Sequence, residues 1–183
     1  MATYIILGVV VVLVLWLIGV FNGLVRAHNR VKEAWSDISV QLKRRHDLIP
    51  NLVETVKGYV EHEAGVLEAV TKARTEAVTA GSMAQKGQAE NMLTGALGKL
   101  FALSEAYPTL KANENFAKLQ DELTDTEDKI QASRRFYNTN VMDFNTKIQV
   151  FPNNMIASTL GFQKEEFFEL ENPSEAELPR VSF

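Results

Sequence analysis

The chain has 183 residues, no cysteine and a formal net charge of −4 at pH 7. This length allows a single domain with a genuine hydrophobic core. The lack of cysteine excludes disulfides, thiolate metal ligands and cysteine nucleophiles, and the acidic balance argues against a nucleic-acid-binding surface.

The N-terminal stretch carries the strongest local signal. Residues 4–21, YIILGVVVVLVLWLIGVF, contain no charge, and the first charged side chain is Arg26. About 20 apolar residues in a helix span the roughly 30 Å hydrocarbon core of a bilayer. A cleaved signal peptide would instead have basic residues before a shorter apolar run and a small-x-small cleavage site after it. We therefore predict an uncleaved transmembrane anchor at residues 1–25.

Charge asymmetry predicts the orientation of this anchor. Basic residues follow the span and none precedes it; they are Arg26, Arg30, Lys32, Lys43, Arg44 and Arg45. Because Lys and Arg near a span are retained on the cytoplasmic side, we expect the N-terminus to face out and the rest of the chain to be cytoplasmic.

Four stretches after the anchor repeat apolar residues every three or four positions, which is the helical period. The predicted helices cover about 26–60, 61–80, 88–106 and 113–151. The first continues the membrane helix as one rod, and Pro50 is expected to kink it. We predict an all-α fold, in which an N-terminal transmembrane helix is continuous with an antiparallel four-helix bundle at 26–152.

The remaining residues, 153–183, begin with a segment too apolar for a free tail. It contains Phe162, Phe167 and Phe168, and an acidic stretch and a short apolar end follow it. One interpretation is a segment that docks on a neighbouring subunit through these three phenylalanines, and the alternative is a frayed terminus.

Arg45 interrupts the apolar seam of the first bundle helix. If that helix and the last one are antiparallel and aligned at their ends, Arg45 lies near Arg134, and Asp47, Glu127 or Glu105 would supply the balancing acids. A paired polar layer sets register in bundles more often than it performs catalysis. Contact with a ligand or partner and catalysis are the alternatives for this group.

Motifs that carry chemistry are lacking. His28, His46 and His62 are too far apart for local chelation, and neither a G-x-S-x-G nucleophile motif nor a G-x-x-x-x-G-K-[ST] phosphate loop occurs. We predict no catalytic, cofactor-binding or metal-binding residues and no cofactor.

Several long strings resemble the LemA family in order along nearly the whole chain. They are AWSDISVQLKRRHDLIPNLVETVKGY, LTGALGKLFALSEAYPTLKANENFAKLQDEL, RRFYNTNVMDFN, FPNNMIA and GFQKEEFFE. The resemblance implies a single-pass protein of the bacterial plasma (inner) membrane with a four-helix soluble domain. It supplies no reaction, and it implies only an association with membrane proteases and membrane-protein quality control.

The sequence therefore favours a non-enzymatic, membrane-anchored helical bundle that forms homo-oligomers and acts as a scaffold or adaptor. Its expected partners include the lipid bilayer, and nucleic acid is not expected to be one of them. One alternative is a regulatory partner of a membrane protease or another membrane protein. A second is a receptor or hydrolase that uses Arg44, Arg45 and Asp47.

Overall fold

The computed structural model describes residues 1–60 and 63–169. Six helices occur in these ranges, and no strand is found there: α1 (Ala2–Lys57), α2 (Ala64–Thr79), α3 (Met83–Ser104), α4 (Pro108–Lys111), α5 (Glu114–Gln149) and α6 (Asn153–Thr159). The all-α prediction is confirmed. His62 and the predicted acidic tail lie outside the described residues.

Helix α1 is a single helix of 56 residues that contains both the apolar run and Pro50. Its most apolar window has a mean hydropathy of 3.0 and is 0% buried, so this helix is long and apolar enough to cross a membrane. This helix supports membrane association, and the predicted continuation of the apolar run into the bundle as one helix is confirmed. A kink at Pro50 stays a prediction.

The chain forms two compact units, and α1 and α5 each contribute to both. The first unit contains Met1–Ile38 and Ser133–Phe167, and the second contains Ser39–Ala132 together with Phe168 and Glu169, within the residues that the structure describes.

The core of the first unit comes from the membrane-proximal part of α1, the second half of α5 and α6. Apolar residues of α1 and α5 at spacings of three or four face this core, as an amphipathic helix requires. Its buried members are Leu24, Ala27, Val31, Ala34, Ile38, Tyr137, Val141, Phe144, Ile148 and Ala157.

The second unit is a four-helix bundle. One hydrophobic cluster takes residues from α1, α2, α3 and α5, among them Ile49, Leu52, Val56, Val70, Ala73, Leu93, Leu97, Leu100, Phe116 and Leu123. A turn of only three residues joins α2 to α3, which makes them antiparallel neighbours.

Local hydrogen bonds explain where two of the helices begin. Helix α3 begins five residues earlier than the predicted residue 88, because the Ser82 hydroxyl accepts from the Gln85 N–H while the Gln85 side chain accepts from the Ser82 N–H. Helix α5 begins directly after Asn113, whose Oδ1 accepts from the Phe116 N–H at 3.0 Å.

Candidate functional site

The three consecutive basic residues of α1 point in three directions, because neighbours on a helix are about 100° apart. Lys43 pairs with Asp47 on the exposed surface at 2.8 Å. Arg44 faces the acidic side chains Glu122 and Asp125 of α5 at 3.7 and 3.6 Å. Arg45 turns into the bundle.

Arg45 is buried among polar partners from two other helices. Its guanidinium Nη1 lies 3.0 Å from Glu127 Oε2 and 3.4 Å from Glu90 Oε2. Its Nη2 donates to the Thr94 hydroxyl at 2.7 Å. Glu90 and Thr94 reach the same guanidinium because they lie one turn apart on α3.

Glu90 bridges Arg45 and His46. While one carboxylate oxygen faces Arg45, the other lies 2.7 Å from His46 Nε2. With the carboxylate ionised, this ring nitrogen is the donor. The side chains of Arg45 and Glu90 are only 3% and 2% exposed, so both charges depend on each other and on their neighbours.

Arg74 of α2 completes the cluster by bonding to the backbone of α1. Its Nε donates to the His46 carbonyl oxygen at 2.7 Å. That carbonyl would ordinarily accept from the N–H four residues later, but residue 50 is proline and has none. The Arg74 side chain therefore replaces the backbone donor that Pro50 removes.

We call Arg45, His46, Arg74, Glu90, Thr94 and Glu127 the ion-pair layer. Two arginines and two glutamates balance its formal charge, and each of the four bundle helices contributes at least one residue. Arg45 and Glu90 are out of reach of a solvent-borne substrate in this conformation. Within residues 1–60 and 63–169, no group of three or more His, Asp or Glu side chains is arranged to hold a metal ion.

Of the residues predicted for a polar layer, the structure brings together Arg45 and Glu127. The expectation that Asp47 faces Arg45 is wrong, because Lys43, one turn earlier, holds it at the surface. That hydrogen bond is the main reason why the pKa of Asp47 is lowered. Glu105 pairs with Lys111 instead, and the expected position of Arg134 near Arg45 stays a prediction.

Sequence reasoning did not place Glu90, His46, Arg74 or Thr94 in this layer, and of these Glu90 had the clearest signal. The apolar seam of α3 includes Leu93, Leu97 and Leu100, and counting back three residues from Leu93 reaches Glu90. The signal in the sequence was an acid at a seam position of α3. Such an acid can pair with Arg45, the basic residue at a seam position of α1.

The C-terminal segment packs on its own chain. Phe162 lies against His28 and Phe144 of the first unit, with ring centroids 6.0 and 6.1 Å apart. Phe168 is fully buried in the second unit. The predicted docking of Phe168 on another subunit is therefore wrong, since its ring is buried within its own chain. Docking through the half-buried Phe162 and the exposed Phe167 stays a prediction.

Hydrogen bonds fix this segment to α5. Asn145 both donates to the Glu165 carbonyl and accepts from the Glu165 N–H, each at 2.9 Å. The Tyr137 hydroxyl donates to the Glu166 carbonyl at 2.8 Å. Burial, aided by the carboxylates of Glu165 and Glu166, raises the pKa of Tyr137 to about 12, so this hydroxyl keeps its proton at neutral pH.

In the second unit, the chain passes close to α3 at a glycine. A Cβ at Gly87 would collide with the backbone carbonyl of Glu169 and would touch the ring of Phe168. The lack of a side chain at Gly87 is what allows this close passage.

The fold and the ion-pair layer define a membrane-associated, all-helical protein whose bundle neutralises its buried charges internally. The chain belongs to the LemA family, whose sequence profile matches residues 34–183. It is 30% identical to the LemA protein of Metamycoplasma hominis over 83% of this chain and 70% of that protein.

Two further relatives are magnetosome proteins. MamQ 1 of Paramagnetospirillum magneticum is 26% identical, and MamQ of Magnetospirillum gryphiswaldense is 25% identical, each over 81% of this chain. The chain spans 64% of the length of these MamQ relatives.

Proposed function

We propose that the protein is a non-enzymatic membrane scaffold that self-associates through its helical bundle. The observation that carries this proposal is α1, a single helix that joins an unburied apolar run to the bundle core. Such a helix tethers the bundle to the membrane, where other membrane-bound proteins are at high local concentration.

The state of the ion-pair layer supports a structural role over a catalytic one. Arg45 and Glu90 are buried and bonded to each other, Arg44 faces two acids of α5, and Asp47 is bonded to Lys43. A receptor or hydrolase built on these residues would need a charged group free to meet a substrate. Each of these groups instead has a partner within the chain.

A groove on α2 and α3 supports self-association. Its volume is about 410 Å³, and small and apolar residues line it together with charged ones: Ala69, Lys72, Ala73, Glu76, Met92, Gly95, Ala96 and Lys99. A Cβ at Gly95 would meet no atom within 4 Å, so another helix has room to approach. Because both signs of charge border the groove, a two-fold contact between copies can pair Glu76 of one copy with a lysine of the other.

Chemical cross-linking tests this proposal at a single defined position, because the chain has no native cysteine. Met92→Cys places a thiol in the groove, and Val78→Cys is the matched control, since the two side chains are 53% and 55% exposed and Val78 does not line the groove. Isolated membranes are treated with a short, membrane-permeant bismaleimide and examined by denaturing electrophoresis.

Self-association through this groove predicts a band of twice the chain's mass for Met92→Cys and little or none for Val78→Cys. Monomer bands for both variants would contradict it. An adduct of Met92→Cys with a different protein and no dimer band would also contradict self-association, and would favour an adaptor role.

A further inference from the structure

Residues around α6 expose an apolar surface at the end of the first unit. The large exposed side chains are Val150, Phe151, Met155 and Leu160. Soluble proteins seldom expose several large apolar side chains together unless something covers them.

The position of α6 indicates what covers this surface. A groove of about 530 Å³ is formed by Leu17, Ile18 and Phe21 of α1 on one side and by Met155, Ile156, Thr159 and Leu160 at α6 on the other. The α1 residues of this groove are the last apolar turns of the run at 4–21. Helix α6 therefore lies level with residues that a membrane-spanning α1 places at the edge of the hydrocarbon core.

We propose that α6 and its flanking residues, 150–160, form a second membrane-contacting element that lies in the interfacial region of the bilayer beside the anchor. This inference rests on the proposed anchoring of α1 in a membrane. The apolar surface of α6 is continuous with that of α1, so the lipids that surround residues 17–21 also meet Met155 and Leu160.

The backbone of this element suits a membrane interface, where unpaired N–H and C=O groups are costly. At its start, the Asn154 N–H donates to the Val150 carbonyl at 3.0 Å. At its end, the Phe162 N–H donates to the Ala157 carbonyl at 3.0 Å and the Gly161 N–H donates to the Ser158 carbonyl at 3.3 Å. This is the Schellman pattern, and it requires the positive φ of 75° that Gly161 adopts.

Basic side chains beside the element match the headgroup region. Lys147 lines a cavity with Trp16 and Gly19 of the apolar run and with Gly23 just after it, so its chain starts close to the hydrocarbon edge. A lysine at this depth extends its ammonium group toward lipid phosphates. Arg26 and Arg30, both exposed on α1, supply further positive charge at the same end of the unit.

Nitroxide labels on single cysteines measure depth in the full-length protein, reconstituted in vesicles of phosphatidylcholine and phosphatidylglycerol. Met155→Cys and Phe151→Cys report on the proposed element, and Leu13→Cys reports on the anchor. Val78→Cys is the water-exposed control, an apolar α2 residue whose exposed fraction, 55%, is similar to the 63% of Met155. The quantity measured is the ratio of collision rates with oxygen, which enters lipid, and with a nickel chelate, which stays in water.

We expect this ratio to be several-fold higher at Met155, Phe151 and Leu13 than at Val78. A high ratio at Leu13 with a Val78-like ratio at Met155 and Phe151 would overturn the inference and leave the anchor intact. Low ratios at all four positions would refute the anchor itself. Shielding of Met155 and Phe151 from both reagents would also overturn the inference, because a protein rather than lipid would then cover them.

Discussion

Each polar group in the ion-pair layer pairs with a charge or with an unpaired hydrogen-bonding group of another residue. Arg45 places a charge on a seam position, where its desolvation is costly unless acids surround it. Glu90 supplies one of these acids and also bonds to the ring of His46. The backbone carbonyl of His46 in turn accepts a hydrogen bond from Arg74. At the residue scale, the loss of Glu90 therefore removes a partner from both Arg45 and His46 at once.

Glu90→Ala is expected to lower the free energy of unfolding by about 3–5 kcal/mol, because Arg45 keeps only the partly exposed Glu127 as a counter-ion. Asp47→Ala, at an exposed carboxylate of the same bundle, is the control and is expected to change stability by less than about 0.5 kcal/mol. Urea unfolding of the detergent-solubilised protein, followed by circular dichroism, measures both values. Equal losses for the two variants would contradict a dependence on Glu90.

At the element scale, Pro50 shows how a helix-breaking residue is accommodated inside α1. The helix continues to Lys57 although the His46 carbonyl has lost its backbone donor. Arg74 supplies that donor from α2, so the polar layer also links two helices at the point where α1 is locally weakest.

A double-mutant cycle isolates this compensation. Arg74→Met should cost about 1–3 kcal/mol in the natural sequence, because it leaves the His46 carbonyl without its donor. The same change should cost less in a Pro50→Ala background, where the restored N–H of residue 50 bonds to that carbonyl. Identical costs in both backgrounds, measured by denaturant unfolding, would show that Arg74 acts independently of Pro50.

Helix α3 offers a second test at the element scale, because its glycines differ in their surroundings. Gly87→Ala is expected to destabilise the protein by about 1–3 kcal/mol, since the new Cβ collides with the backbone of Glu169. Gly95→Ala, in the same helix with no atom within 4 Å of its Cβ, is expected to stabilise it by up to about 1 kcal/mol. Thermal melts compare the two, and a gain at both positions would mean that residue 169 does not pass against α3.

At the scale of the whole molecule, the features that repeat along the sequence were predictable and those that depend on one tertiary partner were not. The long periodic runs of α1 and α5 predicted their helices, and Arg45 on the seam predicted a buried charge. Register makes Asp47 one of three candidates for the acid beside Arg45, but the local pairing with Lys43 holds its side chain at the surface. Helix α6 was missed because it is short, and Glu90 was missed because its role exists only once α3 meets α1.

The same whole-molecule reasoning predicts the side of the membrane on which the bundle lies. All of the basic residues near the apolar run follow it, so the bundle is expected on the cytoplasmic side and residue 2 outside. Single cysteines at Ala2 and Ala84 test this in whole cells with a membrane-impermeant maleimide. Ala84 is chosen because it is exposed, whereas the neighbouring Ser82 caps α3 and should be kept.

Labelling of Ala2→Cys alone, with Ala84→Cys labelled only after the cells are permeabilised, is the expected result, and it would direct a search for partners to the cytoplasm. Labelling of Ala84→Cys in intact cells would reverse the topology. The positive charge of Lys147 and of the arginines after the span would then lie at the outer leaflet, although the depth of α6 beside α1 would be unchanged. The topology and the interfacial position of α6 are therefore separate properties, and each experiment decides one of them.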